Sequence, residues 1–314
     1  MAFPRPLADA VAGLLVERGS GSHRDGSASL TRTYRQGGTS SAVDLSAYLV
    51  SRLPATFAAV AAVLAEVARL RPGLAPVSLI DAGAGPGTAS WAAVELWDSL
   101  EHLRFLDSNT EFLAIAAKLA AASPRQALRG AKTEQCDLAA RSALPSADLA
   151  ITAYALAELP VTAFARALRR LWAAAPTLVL VEPGTPAGFA RIATARHQLL
   201  EEGAHMIGPC PHASDCPVVA PDWCHFAVRL PRSRAHMHAK AAKVPFEDEK
   251  FSWLAVSRVA GPLPAARILA PPRHGKAGVT LKLCSGEGLV NATIARREAT
   301  AYKQARKLDW GGTY

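Results

Sequence analysis

Val77-Ser-Leu-Ile80-Asp81-Ala-Gly83-Ala-Gly85-Pro-Gly87-Thr88 joins a short apolar run to a glycine-dense turn and then to a helix start. The run Val77 to Ile80 predicts a strand, and Thr88 to Leu96 predicts the helix after it. Glycine lets a backbone turn tightly and approach a ligand closely. The N–H groups at a helix start favour a polar or anionic group there. Asp81 stands at the strand end, and a second acid, Asp107, ends the next apolar run, Leu103 to Leu106. A carboxylate in that position can accept hydrogen bonds from ribose hydroxyls. The glycines alternate and do not follow G-x-G-x-x-G, and Pro86 removes a backbone donor from a pyrophosphate cradle, so NAD or flavin fits less well.

Outward from this turn, helices and strands alternate. A helix is expected at Glu111 to Ala122, a less certain strand at Lys132 to Cys136 and a strand at Ala147 to Ala153. Val161 to Ala174 reads as a helix and Thr177 to Val181 as a strand. Such alternation implies parallel βαβ units in a doubly wound α/β sheet. Residues 1–75 read as helical: Leu7, Val11, Leu14 and Leu15 recur at helical spacing, residues 19–41 read as a loop, Asp44 can cap a helix and Pro54 can open the next. After Glu201 the pattern breaks into a Cys-, Pro- and His-rich stretch and a basic, strand-like tail, in which Lys250 to Val256 puts Phe251, Trp253 and Ala255 on one face. Three regions are expected, 1–75, 76–200 and 201–314. No run approaches the ~18 apolar residues of a membrane span, and no secretory signal is evident. The expectation is a cytoplasmic monomer without a membrane partner.

The five cysteines are Cys136, Cys210, Cys216, Cys224 and Cys284. Three of them cluster, with spacings C-x5-C and C-x7-C, and Cys284 follows 60 positions later on an expected strand. In a reducing compartment, clustered thiols point to metal and away from disulfides. Four thiolates suit tetrahedral Zn²⁺ or an iron–sulfur cluster, and His212 or His225 could replace one thiol around zinc. Pro209-Cys210 also matches the dipeptide of nucleophilic cysteines that methylate cytosine, but it lies too far beyond the fifth strand. No residue is identifiable as catalytic; Tyr154 stands where amino-group methyltransferases carry an Asn/Asp-Pro-Pro-Tyr/Phe motif, without the prolines or the amide. The net charge is +9. Residues 229–314 hold 16 Lys and Arg against 6 Asp and Glu, whereas the first 228 residues hold 19 against 20. An excess confined to the last quarter suggests a polyanionic partner.

Asp81-Ala-Gly-Ala-Gly-Pro-Gly-Thr88 resembles motif I of class I S-adenosylmethionine methyltransferases. That resemblance implies a Rossmann-like sheet with Asp81, Gly83, Gly85 and Gly87 near the methionine part, Asp107 on the ribose and Asp137 facing the adenine amine. The order of further motifs is more specific: Tyr48-Leu-Val-Ser-Arg52-Leu-Pro54, Ala157-Glu158-Leu-Pro160, Val181-Glu182-Pro-Gly-Thr-Pro186, Gly208-Pro-Cys-Pro-His212, Asp222-Trp-Cys-His-Phe226 and Phe246-Glu-Asp-Glu-Lys250. From about Tyr34 to Trp310 the chain resembles the small-ribosomal-subunit methyltransferase-like family, which has mitochondrial members and bacterial relatives. The resemblance implies S-adenosyl-L-methionine, a [4Fe–4S] module held by Cys210, Cys216, Cys224 and Cys284 (Zn²⁺ being the alternative), and action on the small subunit by rRNA methylation or as an assembly factor. It leaves the compartment cytoplasmic for a bacterial chain and mitochondrial for a eukaryotic one. Arg229, Arg232, Arg234, Lys240 and Lys243 are then expected to meet rRNA phosphates, with Arg296, Arg297, Lys303, Arg306 and Lys307 as a second run. Glu247-Asp248-Glu249 reads as an acidic turn that pairs with nearby arginines.

Overall fold

The computed structural model describes residues 1–17 and 45–314, so the expected loop at 19–41 and the Asp44 cap lie outside the described residues. Strands β1 (Ser78–Ala82), β2 (His102–Asp107), β3 (Lys132–Gln135), β4 (Leu149–Ala153) and β5 (Thr177–Pro183) are parallel, in the order β3-β2-β1-β4-β5. Three more strands follow: β6 (His205–Gly208), β7 (Phe226–Pro231) and β8 (Phe246–Ser257). The long β8 runs antiparallel beside β5, and β7 and β6 share its other edge. A five-stranded parallel core extended by an antiparallel strand next to β5 is the class I methyltransferase-like arrangement. The boundary expected at residue 201 falls within this sheet, because β6, β7 and β8 complete it.

Both faces of the sheet are covered, and the pleat sorts the side chains between them. Leu79, Phe105, Ile151, Val179, Phe251, Trp253 and Ala255 face one core. It also takes helices α1 (Arg5–Glu17), α2 (Leu53–Leu70), α3 (Thr88–Val94) and α4 (Thr110–Ala121). Ile80, Leu106, Ala150, Leu178, Leu180, Leu254 and Val256 face the other, beside α6 (Val161–Ala174) and α7 (Pro186–Glu201); a single turn, α5 (Gln126–Arg129), precedes β3. Phe251, Trp253 and Ala255 thus share a face as read, but Ser252, Leu254 and Val256 are buried as well, and only Lys250 is exposed. Local caps fix where helices begin. Asn109 accepts from the N–H groups of Glu111 and Phe112, and Thr185 accepts from that of Gly188.

Helix α2 departs from the sequence reading. A π-helical turn, Tyr48–Arg52, leads into it without a break, and Pro54 sits in its first turn. Residues Leu45–Leu70 thus form one 26-residue helical run, long and apolar enough by composition to cross a bilayer. In this structure Leu53, Phe57, Val60, Leu64 and Val67 are fully buried against the sheet. Each such side chain contributes roughly 1.5–3 kcal/mol by burial.

The C-terminal strands form a second, antiparallel sheet from β9 (Ala266–Ile268), β10 (Arg273–His274), β11 (Gly278–Ser285) and β12 (Gly288–Ala295). Ile268, Val279, Leu281, Leu283 and Ile294 form its core with α8 (Ala299–Ala305). The chain end returns to β9, where Ala266 and Tyr314 exchange two backbone hydrogen bonds of 3.0 Å.

Candidate functional site

The glycine turn lies at the C-terminal edge of the parallel strands, where open α/β sheets bind ligands. Gly83, Gly85 and Gly87 have φ of +70°, +52° and +79°, a region open to glycine and costly for other residues. The carboxylate of Asp107 accepts from Gly85 N–H at 2.7 Å and from Asn109 N–H at 2.8 Å. A carboxylate has about four acceptor sites, so Asp107 can brace the turn and still accept a hydroxyl. Burial raises its pKa. Asp81 is used differently: one oxygen accepts from both the N–H and the Oγ of Ser90, each at 2.9 Å, inside α3. Burial pushes Asp81 up to about 7. Asp137 is exposed just after β3, and its carboxylate accepts from Ala139 N–H at 2.7 Å. The bond from Cys136 N–H to Asp107 O, 2.9 Å, holds this segment beside Asp107.

A Cβ at Gly83 would overlap the Cβ of Ala155, the second residue after β4. Gly83→Ala therefore meets both a clash and a left-handed backbone. We expect a loss of about 2–4 kcal/mol in urea unfolding. Wild-type stability in that variant would show that the turn can move off Ala155.

Two acids join this edge. Glu158 is driven up to about 7 by burial, then by the charges of Asp107 and Glu182. Glu182, at the end of β5, is fully buried and also reaches about 7, although Arg191 donates to it at 2.7 Å. Tyr154, the residue after β4, has φ +61°, a strained conformation for an aromatic. Its hydroxyl donates to Glu249 at 2.9 Å, and Arg52 pairs with the same carboxylate at 3.0 Å. The three side chains form a buried link between the helical run before α2, β4 and β8.

The four cysteines predicted as ligands come together. Cys210, Cys216, Cys224 and Cys284 line one cavity between α7, β8 and the second sheet, with His212, Arg196 and Arg267. Cys136 lies elsewhere, against the core beside α6. Backbone anchors hold each loop. Arg196 donates to the carbonyls of His212 and Ser214, Arg267 to that of Pro209, and Ser252 to that of Cys224. Trp223 ties its loop to Gly184 at the end of β5, at 3.1 Å. Burial raises the pKa of Cys210, and Arg196 only partly offsets it. Cys224 is pushed well above the ordinary thiol value by burial and then by the other three cysteines, and Cys284 reaches about 11. These thiols stay neutral at pH 7 unless a cation joins them, since a coordinating metal deprotonates a thiol outright. Among the described residues, no three His, Cys, Asp or Glu side chains stand at coordination geometry around one point. The cavity volume is about 30 Å³, room for one or two water-sized bodies. In donor type and number the site fits a four-thiolate centre. Two buried guanidinium nitrogens on its wall, Arg196 Nε and Arg267 Nη2, also lack a nitrogen or oxygen acceptor, while the Arg196 guanidinium draws the burial-raised Cys210 thiol partly back down.

The predicted RNA-binding cations are largely engaged with acids. Arg229 pairs with Asp248 at 2.7 Å, and Arg232, His236 and Lys240 converge on Glu247 at 3.1, 3.1 and 2.5 Å. Burial raises Glu247, but the bonds from His236 and Lys240 outweigh it and hold the group well below the usual carboxylate range. Arg234 and Lys243 are exposed. The acidic triplet pairs with arginines as expected, but from within β8, not from a turn.

Residues 42–314 match the family described as "Mitochondrial small ribosomal subunit Rsm22". The chain belongs to the Rsm22 family. Among its relatives is the human protein "Ribosome assembly protein METTL17, mitochondrial", 30% identical over 295 residues that cover 84% of this chain and 61% of the human one. A fission-yeast Rsm22-cox11 tandem protein, also mitochondrial by name, is 24% identical over 196 residues, covering 47% of this chain and 26% of its own length. The chain thus spans less than two thirds of either relative. Both names are mitochondrial, in line with the compartment expected of a eukaryotic chain. Among solved structures, magnesium protoporphyrin IX methyltransferase from Synechocystis aligns at TM-score 0.41 and 16% identity, over 77% of this chain and 99% of that one. A bacterial Hen1 methyltransferase domain aligns at 0.42 and 12%, over 65% and 98%.

Sequence reading of this Rsm22-family chain missed the Arg52–Tyr154–Glu249 link and the two arginines at the cysteine cavity. Arg196 looks like any helix-surface cation and Arg267 like a strand residue. Only folding turns them inward, to 6% and 1% exposure.

Proposed function

We propose that this Rsm22-family chain is a methyltransferase-like protein of the small ribosomal subunit that binds S-adenosyl-L-methionine at the glycine turn and a metal centre at the four cysteines. The centre is read as [4Fe–4S], with Zn²⁺ as the alternative. The observation that carries the reading is the meeting of four cysteines, three from residues 210–224 and one from the second sheet, in one cavity beside the sheet that presents the turn. Gly83, Gly85, Gly87 and Asp107 would hold the cofactor, Asp107 through its remaining acceptor capacity, with Asp137 at the adenine end and Asp81 bracing the turn. Bound there, the cofactor supplies an electrophilic methyl on a sulfonium. The chain's own contribution is alignment and exclusion of water. Glu158 and Asp107 place negative charge at the rim. Arg234 and Lys243 would engage rRNA phosphates first; Arg229, Arg232 and Lys240 must exchange an acid for a phosphate to do so.

One observation favours action as an assembly factor without turnover. The Tyr154 hydroxyl, in the position after β4 where amino-group methyltransferases keep their motif, donates into the core to Glu249. The two readings separate in a deletion strain complemented with Asp107→Ala. An assembly factor that does not need the cofactor restores small-subunit levels. A methyltransferase leaves a specific rRNA methyl mark missing. Anaerobic purification with metal analysis tests the centre: about four irons and absorption near ~400 nm support the cluster, one zinc supports the alternative, and metal-free protein sinks both.

The raised acids give a pH test of the cofactor site. Asp81, Glu158 and Glu182 reach about 7 in the ligand-free chain. Because folding raises them, the stability they contribute is full below their ordinary range and is lost as pH rises through 7. A cationic sulfonium draws Glu158 back down and releases its proton. S-adenosylmethionine is therefore expected to bind more tightly at pH 8 than at pH 6, whereas the neutral thioether S-adenosylhomocysteine gains less. Calorimetry showing equal pH slopes for the two ligands would remove Glu158 from the site.

A further inference from the structure

We propose that Arg196 and Arg267 are the built-in counter-cations of the four-cysteine centre and donate to its sulfur atoms through Arg196 Nε and Arg267 Nη2. The inference rests on the centre carrying metal, as read above. Each arginine is already anchored by its other nitrogens. Arg196, on α7, spends Nη2 on the carbonyls of His212 at 3.0 Å and Ser214 at 2.6 Å, between Cys210 and Cys216. Arg267, on β9, spends Nε on Pro209 O at 2.8 Å and Nη1 on Glu66 at 2.5 Å and Gly311 O at 2.7 Å. In the β9–β11 pairing it stands opposite Cys284.

The nitrogen left over on each arginine is buried and has no nitrogen or oxygen acceptor. A buried donor without an acceptor costs about 1–3 kcal/mol, more when charged, and these two line the same cavity. Both arginines line the cavity that the four thiols line. Thiolate sulfur is the acceptor chemistry at hand.

The charges agree. Four thiolates around Zn²⁺, or around a cluster core of charge 2+, leave a net 2−. Two guanidinium groups supply 2+, and arginine cannot shed its proton. Glu66 does not cancel Arg267, because Arg69 also pairs with it at 2.7 Å.

The test uses full-length protein purified anaerobically with its metal, and follows metal release to a chelator. Loss of an outer partner of this kind weakens metal binding about 10- to 100-fold. Arg196→Met and Arg267→Met are each expected to release metal at least about tenfold faster than wild type, and Arg196→Lys, which keeps the charge, to recover most of the retention. If the centre is a cluster, its midpoint potential should also move to more negative values in the Met variants, because removing a positive charge disfavours the added electron. A merely structural role would not move the potential. Metal-loaded wild type with Met variants that release at the wild-type rate would overturn the inference alone. Arg196→Lys releasing as fast as Arg196→Met would overturn the charge role. Wild type that holds no metal would overturn the reading of the centre, and this inference with it. Should Arg267→Met fail to fold, the two Arg196 variants carry the test, since Arg196 anchors only one loop.

Discussion

Replacing Cys284 with alanine is expected to strip the chain of metal and to loosen the second sheet and the cysteine loops together. Cys284 is the sole proposed ligand outside residues 210–224, and it stands on β11 between Arg267 of β9 and Leu289 of β12. A metal held by all four thiols therefore cross-links two segments separated by 60 residues. Folding and binding share one free energy at such centres, on the order of 10–16 kcal/mol in small zinc domains. With three thiols left, most of that linkage is lost. The expected result is metal content below about a tenth of wild type and a melting temperature lower by on the order of 10 °C. Cys136→Ala, outside the cavity, should keep its metal. Mass spectrometry of the purified proteins and a calorimetric scan check both. A Cys284→Ala protein with full metal content would remove Cys284 from the ligand set and leave the centre, if any, to the 210–224 segment.

The second large effect is at Glu249. Its carboxylate takes Arg52 at 3.0 Å and the Tyr154 hydroxyl at 2.9 Å, and the Arg52 and Glu249 side chains are only 8% and 10% exposed. Breaking a buried ion pair by removing one partner costs about 3–5 kcal/mol. Glu249→Ala should lose that much in denaturant unfolding. Glu249→Gln should lose less, because an amide oxygen still accepts from both donors. A double replacement, Arg52→Met with Glu249→Leu, should recover part of the loss, since no charge is then left buried. A Glu249→Ala protein within 1 kcal/mol of wild type would mean that water reaches Arg52 there. The tyrosine gives a second readout. Burial, then the Glu249 charge, pushes its pKa well above the ordinary phenol, so its ultraviolet titration should fall to lower pH in Glu249→Gln.

Much of the architecture was legible in the chain itself. The run from residue 77 to 183 announces its strands and helices because each is local: a short apolar run, a helical stretch, a glycine turn. Helix α6 was expected at Val161–Ala174 and is found there. The Leu45–Leu70 run was not, because Pro54 reads as a fresh start, whereas proline in a first turn breaks no hydrogen bond. The acids at residues 247–249 were expected in a turn because charge is rare in a central strand. They are tolerated in β8 because each meets a cation from β7, from the segment after it, or from the turn before α2.

Residue type and spacing determined the sheet class, the glycine turn with its trailing Asp107, and the set of thiols able to hold a metal. Tertiary structure alone decided that Cys284 stands with the other three, that two arginines line the cavity with them, and that Arg229, Arg232 and Lys240 already face an acid. The division has a physical cause. Local geometry follows from neighbours three or four residues apart, but a contact across sixty or two hundred residues is set by strand order and register, which no short stretch of sequence encodes.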